Sequence, residues 1–199
     1  MLTGCDDSSL VVDRLRDQAR GKNTAVASFY FDFAIQKELT ATAMLGSMLE
    51  QIINGMETLP EDISRGLKEL LSTIYVDEPQ LVDIMKILQL ITFSLPTFMC
   101  IDGLAECVGV QRVRIVDLLK QILEKSPGTR IFVTGRPEIR AEIEERLAGR
   151  VISVSVCPNK DDIITYLRAR LAEDETPDAM DEGLVAEILE RIPENISGM

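Results

Sequence analysis

The 199 residues contain no histidine, and their four cysteines (Cys5, Cys100, Cys107 and Cys157) form no C-x-x-C pair. The first absence removes the usual Ser/His and Cys/His nucleophile pairs from within the chain. The second argues against a zinc site or a redox dithiol. Cys100 and Cys157 lie in or beside apolar runs, where a free thiol acts as a small hydrophobe. Positive charge is also scarce: 21 basic residues stand against 33 acidic ones, a net charge of −12. Such a field repels phosphodiesters and anionic lipid, so neither nucleic acid nor a membrane surface is an expected partner. No apolar run is long and clean enough for a membrane span, because the best stretch, Leu81 to Ile101, carries Asp83, Lys86, Gln89 and Pro96. Met1 to Asp7 has neither the basic nor the apolar region of a signal peptide, and a cytoplasmic protein is expected.

What is present is enough apolar residue, 46%, to fill a sizeable core. After Asp6-Asp7-Ser8-Ser9, Leu10, Val11, Leu15 and Ala19 recur at helical spacing as far as Gly21. Thr24 to Phe33 is β-branched and aromatic and reads as strand. Met44, Leu45, Met48, Leu49, Ile52 and Ile53 mark an amphipathic helix, and further helices are expected from Pro60 on Ile63, Leu67, Leu70 and Leu71, and over residues 79–91. Phe98 to Asp102 and Arg130 to Thr134 are apolar enough to be strands buried on both faces, with a helix on Val113, Val116, Leu119, Ile122 and Leu123 between them. A charged helix to Leu147 precedes a fourth expected strand, Val151 to Val156, whose Ile152, Val154 and Val156 alternate with serines as at a sheet edge. Asn159-Lys160-Asp161-Asp162 is expected to cap a helix, Asp174 to Asp181 to form an acidic linker, and a last helix to reach Pro193. Strands alternating with helices predict an α/β fold, a three-layer parallel sheet.

In such sheets functional groups gather beyond the carboxyl ends of the strands. Asp102 follows one strand, and Thr134-Gly135-Arg136 follows another. A carboxylate at a strand end suits Mg²⁺, a second acid four residues on (Glu106) suits an attacking water, and the forked guanidinium of Arg136 suits a terminal phosphate. The same residues also suit blander roles: a loop cap, a solvated acid and a surface ion pair.

The segments Phe98 to Cys107 and Pro127 to Arg140 resemble the Walker B and sensor-1 regions of NACHT domains, in the STAND class of P-loop NTPases. The closest likeness is to the nephrocystin-type N-terminal domain of fungal NLR-like proteins, often joined to ankyrin or WD repeats. The Phe29 to Phe33 strand, Leu49-Glu50-Gln51-Ile52 and the helix start at Asp161 to Leu167 resemble family segments in the right order. The resemblance implies an ATP- or GTP-dependent oligomerising switch, with Asp102 the metal-facing acid, Glu106 the second acid and Arg136 the sensor. Ala105 departs from the family's usual aspartate before that second acid.

The phosphate-cradling G-x-x-x-x-G-K-[ST] loop is missing from these residues. Gly21-Lys22 contains Gly-Lys, but Arg16 stands where the first glycine belongs, and the segment joins helix to strand; it reads as a helix C-cap. The expected fold is thus of P-loop NTPase type with its first (Walker A) strand missing. Residues 1–173 are expected to form a partial NTPase core, and residues 174–199 an acidic linker and the start of a helical subdomain. No cofactor is expected for this chain, against Mg-ATP or Mg-GTP in intact family members. The function expected is that of a domain degenerate for nucleotide. The alternatives are a docking or self-association module, or an active NTPase completed by upstream sequence.

Overall fold

A computed structural model describes residues 5–31, 40–56, 61, 63–66, 68, 80–156, 159–173 and 181–196. Two compact units divide the chain, residues 1–151 and 152–199.

The first unit is an α/β sheet flanked by helices. Helix α1 (Cys5–Ala19) ends where Gly21 takes φ +68°, and Lys22 N–H closes the turn on the Ala19 carbonyl at 2.9 Å. Gly-Lys is therefore a helix end leading into strand β1 (Ala25–Tyr30), with the geometry expected of a C-cap glycine. Helix α2 (Ala41–Asn54) begins at Thr40, whose Oγ1 accepts the Ala43 N–H at 3.1 Å, and it buries Met44, Leu45, Met48, Leu49 and Ile52 in the core. Residues 61, 63–66 and 68 are helical, with Ile63 fully buried; Leu67, Leu70 and Leu71 lie outside the described residues. Helix α3 (Leu81–Ser94) adds Ile84, Leu88 and Ile91 to the same core.

Strand β2 (Thr97–Asp102) is the centre of the sheet. Its continuous apolar run is explained by neighbours on both sides: β1 and β3 (Thr129–Val133) each pair with it in parallel, in the order β1-β2-β3. Ala25 lies opposite Thr97 and Tyr30 opposite Asp102 on one side, and Ile101 lies opposite Val133 on the other. Parallel pairing needs crossovers, supplied by α2 and α3 between β1 and β2 and by α4 (Gly109–Lys125) between β2 and β3. Helix α1 packs on β1 and β2, α2 on β1, and α4 on β3. A turn of 3₁₀ helix over Pro137–Ile139 then leads into α5 (Arg140–Leu147).

The fourth expected strand is corrected. Residues 151–156 join no ladder, and Ile152, Val154 and Val156 are largely exposed. Alternating hydrophobicity gives a segment one apolar face, but a strand exists only where a neighbour accepts its backbone groups, and the described sheet ends at β3.

In the second unit, α6 (Lys160–Ala172) and α7 (Glu182–Ile196) pack together. The cap read in the sequence forms reciprocally: Asp162 N–H donates to Asn159 Oδ1 at 2.9 Å, and Asn159 N–H donates to Asp162 Oδ2 at 3.3 Å. Helix α7 continues through Pro193, which forfeits one backbone donor but keeps helical φ.

Candidate functional site

The ladder register places the site. Because Ile101 pairs with Val133, the residues that follow, Asp102 and Thr134, leave the sheet side by side. The two chain ends are then laced together: Thr134 N–H donates to the Ile101 carbonyl at 2.9 Å and Leu104 N–H to the Thr134 carbonyl at 3.0 Å. The Thr134 hydroxyl does double duty, accepting the Gly103 N–H at 3.1 Å and donating to Asp102 Oδ1. From the other side, Phe31 N–H donates to the Asp102 carbonyl at 2.9 Å. Asp102 is consequently buried, 7% exposed, at the carboxyl end of the central strand.

Two glycines let the loops crowd this point. Gly103 takes φ +69°, which turns the chain from β2 into a 3₁₀ turn over Leu104–Glu106, and a Cβ there would lie 3.0 Å from the Phe31 carbonyl oxygen. At Gly135 a Cβ would meet the buried Ile139 side chain at 2.5 Å, so the loop after β3 closes against its own short helix.

Those turns carry the other two expected residues into contact. Glu106 ends the turn after β2, Arg136 precedes the turn after β3, and Arg136 Nη2 donates to Glu106 Oε1 at 2.6 Å. Arg136 is 61% exposed and Glu106 20%. A pair this open to solvent contributes about 0.2–1 kcal/mol, little enough for a competing anion to displace. Asp102, Glu106 and Arg136 thus gather at one end of the sheet, as the strand-end argument requires.

Several supports were not foreseen as site residues. Thr134 orients the Asp102 carboxylate, and its only signal in the sequence is a hydroxyl at a strand end, two residues before the arginine. Arg112 holds the far end of the same loop, donating to the Cys107 carbonyl at 3.1 Å and through Nε and Nη2 to Glu142 on α5 at 3.1 and 3.0 Å. Burial pushes the Cys107 thiol above its usual range, with Arg112 opposing. Burial drives the Cys100 thiol up to about 11, against a pull from Arg16, so both cysteines are inert hydrophobes rather than nucleophiles. Beside Asp102, burial also raises the Tyr30 phenol, opposed by a Ser28 hydrogen bond and by Arg16 and reinforced by Asp102 and Cys100.

The described residues do not build a stand-alone metal site: no cluster of three His, Cys, Asp or Glu side chains among them suits a metal ion. Asp102 offers one carboxylate, with one oxygen already taken by Thr134. No helix among the described residues is long and apolar enough to cross a membrane.

Comparison with curated proteins finds no match. A family model does match: that described as nephrocystin 3, N-terminal, over residues 8–136. The matched span runs from α1 through the whole sheet and ends at Arg136, so it takes in all three strands and every residue of the strand-end cluster. Because it covers well over half of the 199 residues, the chain belongs to the nephrocystin 3 N-terminal domain family.

Proposed function

We propose that this chain is a NACHT-type domain of the STAND class of P-loop NTPases, serving an intracellular NLR-like signalling protein, and that the 199-residue chain is degenerate for nucleotide binding. The observation that carries the reading is the convergence of Asp102, Glu106 and Arg136 beyond the carboxyl ends of adjacent parallel strands, with Thr134 fixing Asp102. In that reading Asp102 is the metal-facing acid, Glu106 the residue that addresses water and Arg136 the phosphate sensor. In this chain the last two neutralise each other.

Degeneracy follows from what the 199 residues contain. They carry no G-x-x-x-x-G-K-[ST] segment, hence no backbone cradle, lysine or metal-binding hydroxyl for the phosphates. Each charge-assisted bond of that kind is worth roughly 1.5–3 kcal/mol, and losing three or four weakens binding by several orders of magnitude. A lone carboxylate does not compensate, because Mg²⁺ at such sites is held by one or two carboxylates together with the phosphates themselves. Mg-ATP or Mg-GTP belongs to a domain that has the cradle. Residues 1–173 act in this reading as the NTPase-derived core, and residues 174–199 as the start of a helical extension.

Calorimetric titration of the chain with Mg-ATP, Mg-GTP and the diphosphates tests it, with no saturable binding below millimolar concentration as the expected result. Micromolar binding abolished by Asp102→Ala would restore a working NTPase.

A further inference from the structure

The outer edge of β1 is finished by a side chain. In a parallel ladder alternate residues turn their backbone groups toward each neighbour. Ala25 and Phe31 donate to the Pro96 and Asp102 carbonyls on the β2 side, so the backbone groups of Val26, Ser28 and Tyr30 turn outward. Gln51, reaching from α2, donates through Nε2 to the Ser28 carbonyl at 2.8 Å and accepts the Ser28 N–H on Oε1 at 3.1 Å. Those are the two bonds that the facing residue of an added antiparallel strand would exchange with Ser28. The amide is itself held. Its Nε2 lies 3.5 Å from Ser47 Oγ, one turn back on α2, and Arg16 Nη2 lies 3.4 Å from its Oε1 and 3.3 Å from Ser28 Oγ. Side chains from α1 and α2 thus meet at the middle of the strand.

The strand itself carries none of the usual deterrents to edge pairing, which are charges, proline and bulges. Residues 24–31, Thr-Ala-Val-Ala-Ser-Phe-Tyr-Phe, hold no charge, proline or glycine, although 27% of the chain is charged. The ladder to β2 runs without a bulge from Ala25 to Tyr30. An uncharged window of β-branched and aromatic residues is the composition that pairs strand to strand between molecules. Among the described residues no strand lies on the outer side of β1, and Tyr30 at its end is exposed. The edge is also self-complementary. Ser28 is the middle one of the three outward residues, so antiparallel pairing about a two-fold axis sets Ser28 against Ser28 and Val26 against Tyr30 of a second copy. Aromatic against β-branched is a favourable cross-strand pair.

We propose that Gln51 is a strand-mimicking plug, whose amide keeps β1 from pairing with β1 of a second copy of this chain. Closing the central residue is enough. An incoming strand must lie about 4.8 Å from β1, in the space that the Gln51 side chain fills, so Val26 and Tyr30 stay unpaired while the amide is in place. Displacing it would give up both Ser28 bonds and the contacts to Arg16 and Ser47. The proposal concerns β1, α1 and α2 and does not depend on nucleotide.

The test compares the full chain with Q51M, which keeps the length and helix propensity of the side chain but lacks the amide. Sedimentation equilibrium is expected to show dimerisation about tenfold tighter in Q51M than in the wild type. Amide hydrogen exchange locates the contact. In dilute Q51M the Ser28 N–H should exchange about tenfold faster than in the wild type, having lost its acceptor. Raising the Q51M concentration should then slow Val26, Ser28 and Tyr30 together, while the wild type shows no such change at Val26 and Tyr30. Q51N, an amide one methylene too short to reach both Ser28 groups, should repeat the Q51M result, so the outcome does not rest on one variant folding. Adding Y30P, which removes an outward donor at an exposed edge position, should return Q51M to wild-type association. Concentration-dependent protection of Val26 and Tyr30 in the wild type would overturn the proposal, as would folded Q51M and Q51N with wild-type association. Dimerisation of Q51M that leaves these three amides unchanged, or that survives Y30P, would overturn it too, assigning the contact to another surface.

Discussion

Replacing Gly103 with alanine probes the tightest turn of the site. Gly103 has φ +69°, and an added Cβ would lie 3.0 Å from the Phe31 carbonyl oxygen, a backbone atom that cannot swing away. Left-handed backbone costs an alanine about 1–2 kcal/mol. The contact with fixed backbone adds about 1 kcal/mol or more, at the lower end of overpacking penalties. Gly103→Ala should therefore destabilise the chain by roughly 2–3 kcal/mol. With a urea dependence of about 1–3 kcal/mol per molar, the midpoint should fall by about 1 M, with the slope unchanged. Gly103→Asn separates the two causes: asparagine tolerates the left-handed region but carries the same Cβ, so it should recover the conformational part and retain the steric part. An alanine variant within about 0.5 kcal/mol of wild type would refute the reasoning, since surface substitutions free of strain fall in that range. Asp102 and Glu106 flank this turn, so its loss would also change how the two acids are placed relative to each other.

Three further outcomes are expected. Thr134→Val removes the donor to Asp102 and the acceptor for the Gly103 N–H. It should cost about 2 kcal/mol in urea unfolding, whereas Thr134→Ser should cost less than about 1, and equal losses would show that the methyl group rather than the hydroxyl matters. In a Cys5→Ser, Cys157→Ser background, Cys100 and Cys107 should react with a disulfide reagent at pH 8 only upon unfolding, because both are buried and their thiols are raised. The folded Cys100 thiol keeps its proton to about 11, against 9.0 when unperturbed. Its contribution to stability is therefore complete below pH 9 and is lost as pH rises through 11. The total is roughly 2–3 kcal/mol, and Cys100→Ala should flatten that alkaline decline.

The chain's sequence alone determined those elements whose cause is local or compositional. An unbroken apolar run predicts that Phe98 to Asp102 is covered on both sides, and β2 is the central strand. Periodic apolar residues place α2, and Asn159 with Asp162 places the start of α6, because caps act within one turn. Parallel pairing carries Asp102 and Arg136 to the same end, so their proximity was legible once both strands were recognised. Residues 151–156 have the alternation of a strand yet pair with nothing described, because a ladder depends on a neighbour that local pattern does not report. Only the tertiary structure decided that Thr134 would hold Asp102, that Arg136 would pair with Glu106, and that a glutamine 23 positions after Ser28 would bond to the outer edge of β1. Each of these depends on register and helix placement, which bring together residues far apart in the chain, whereas hydrophobic periodicity reports only which face of each element turns inward.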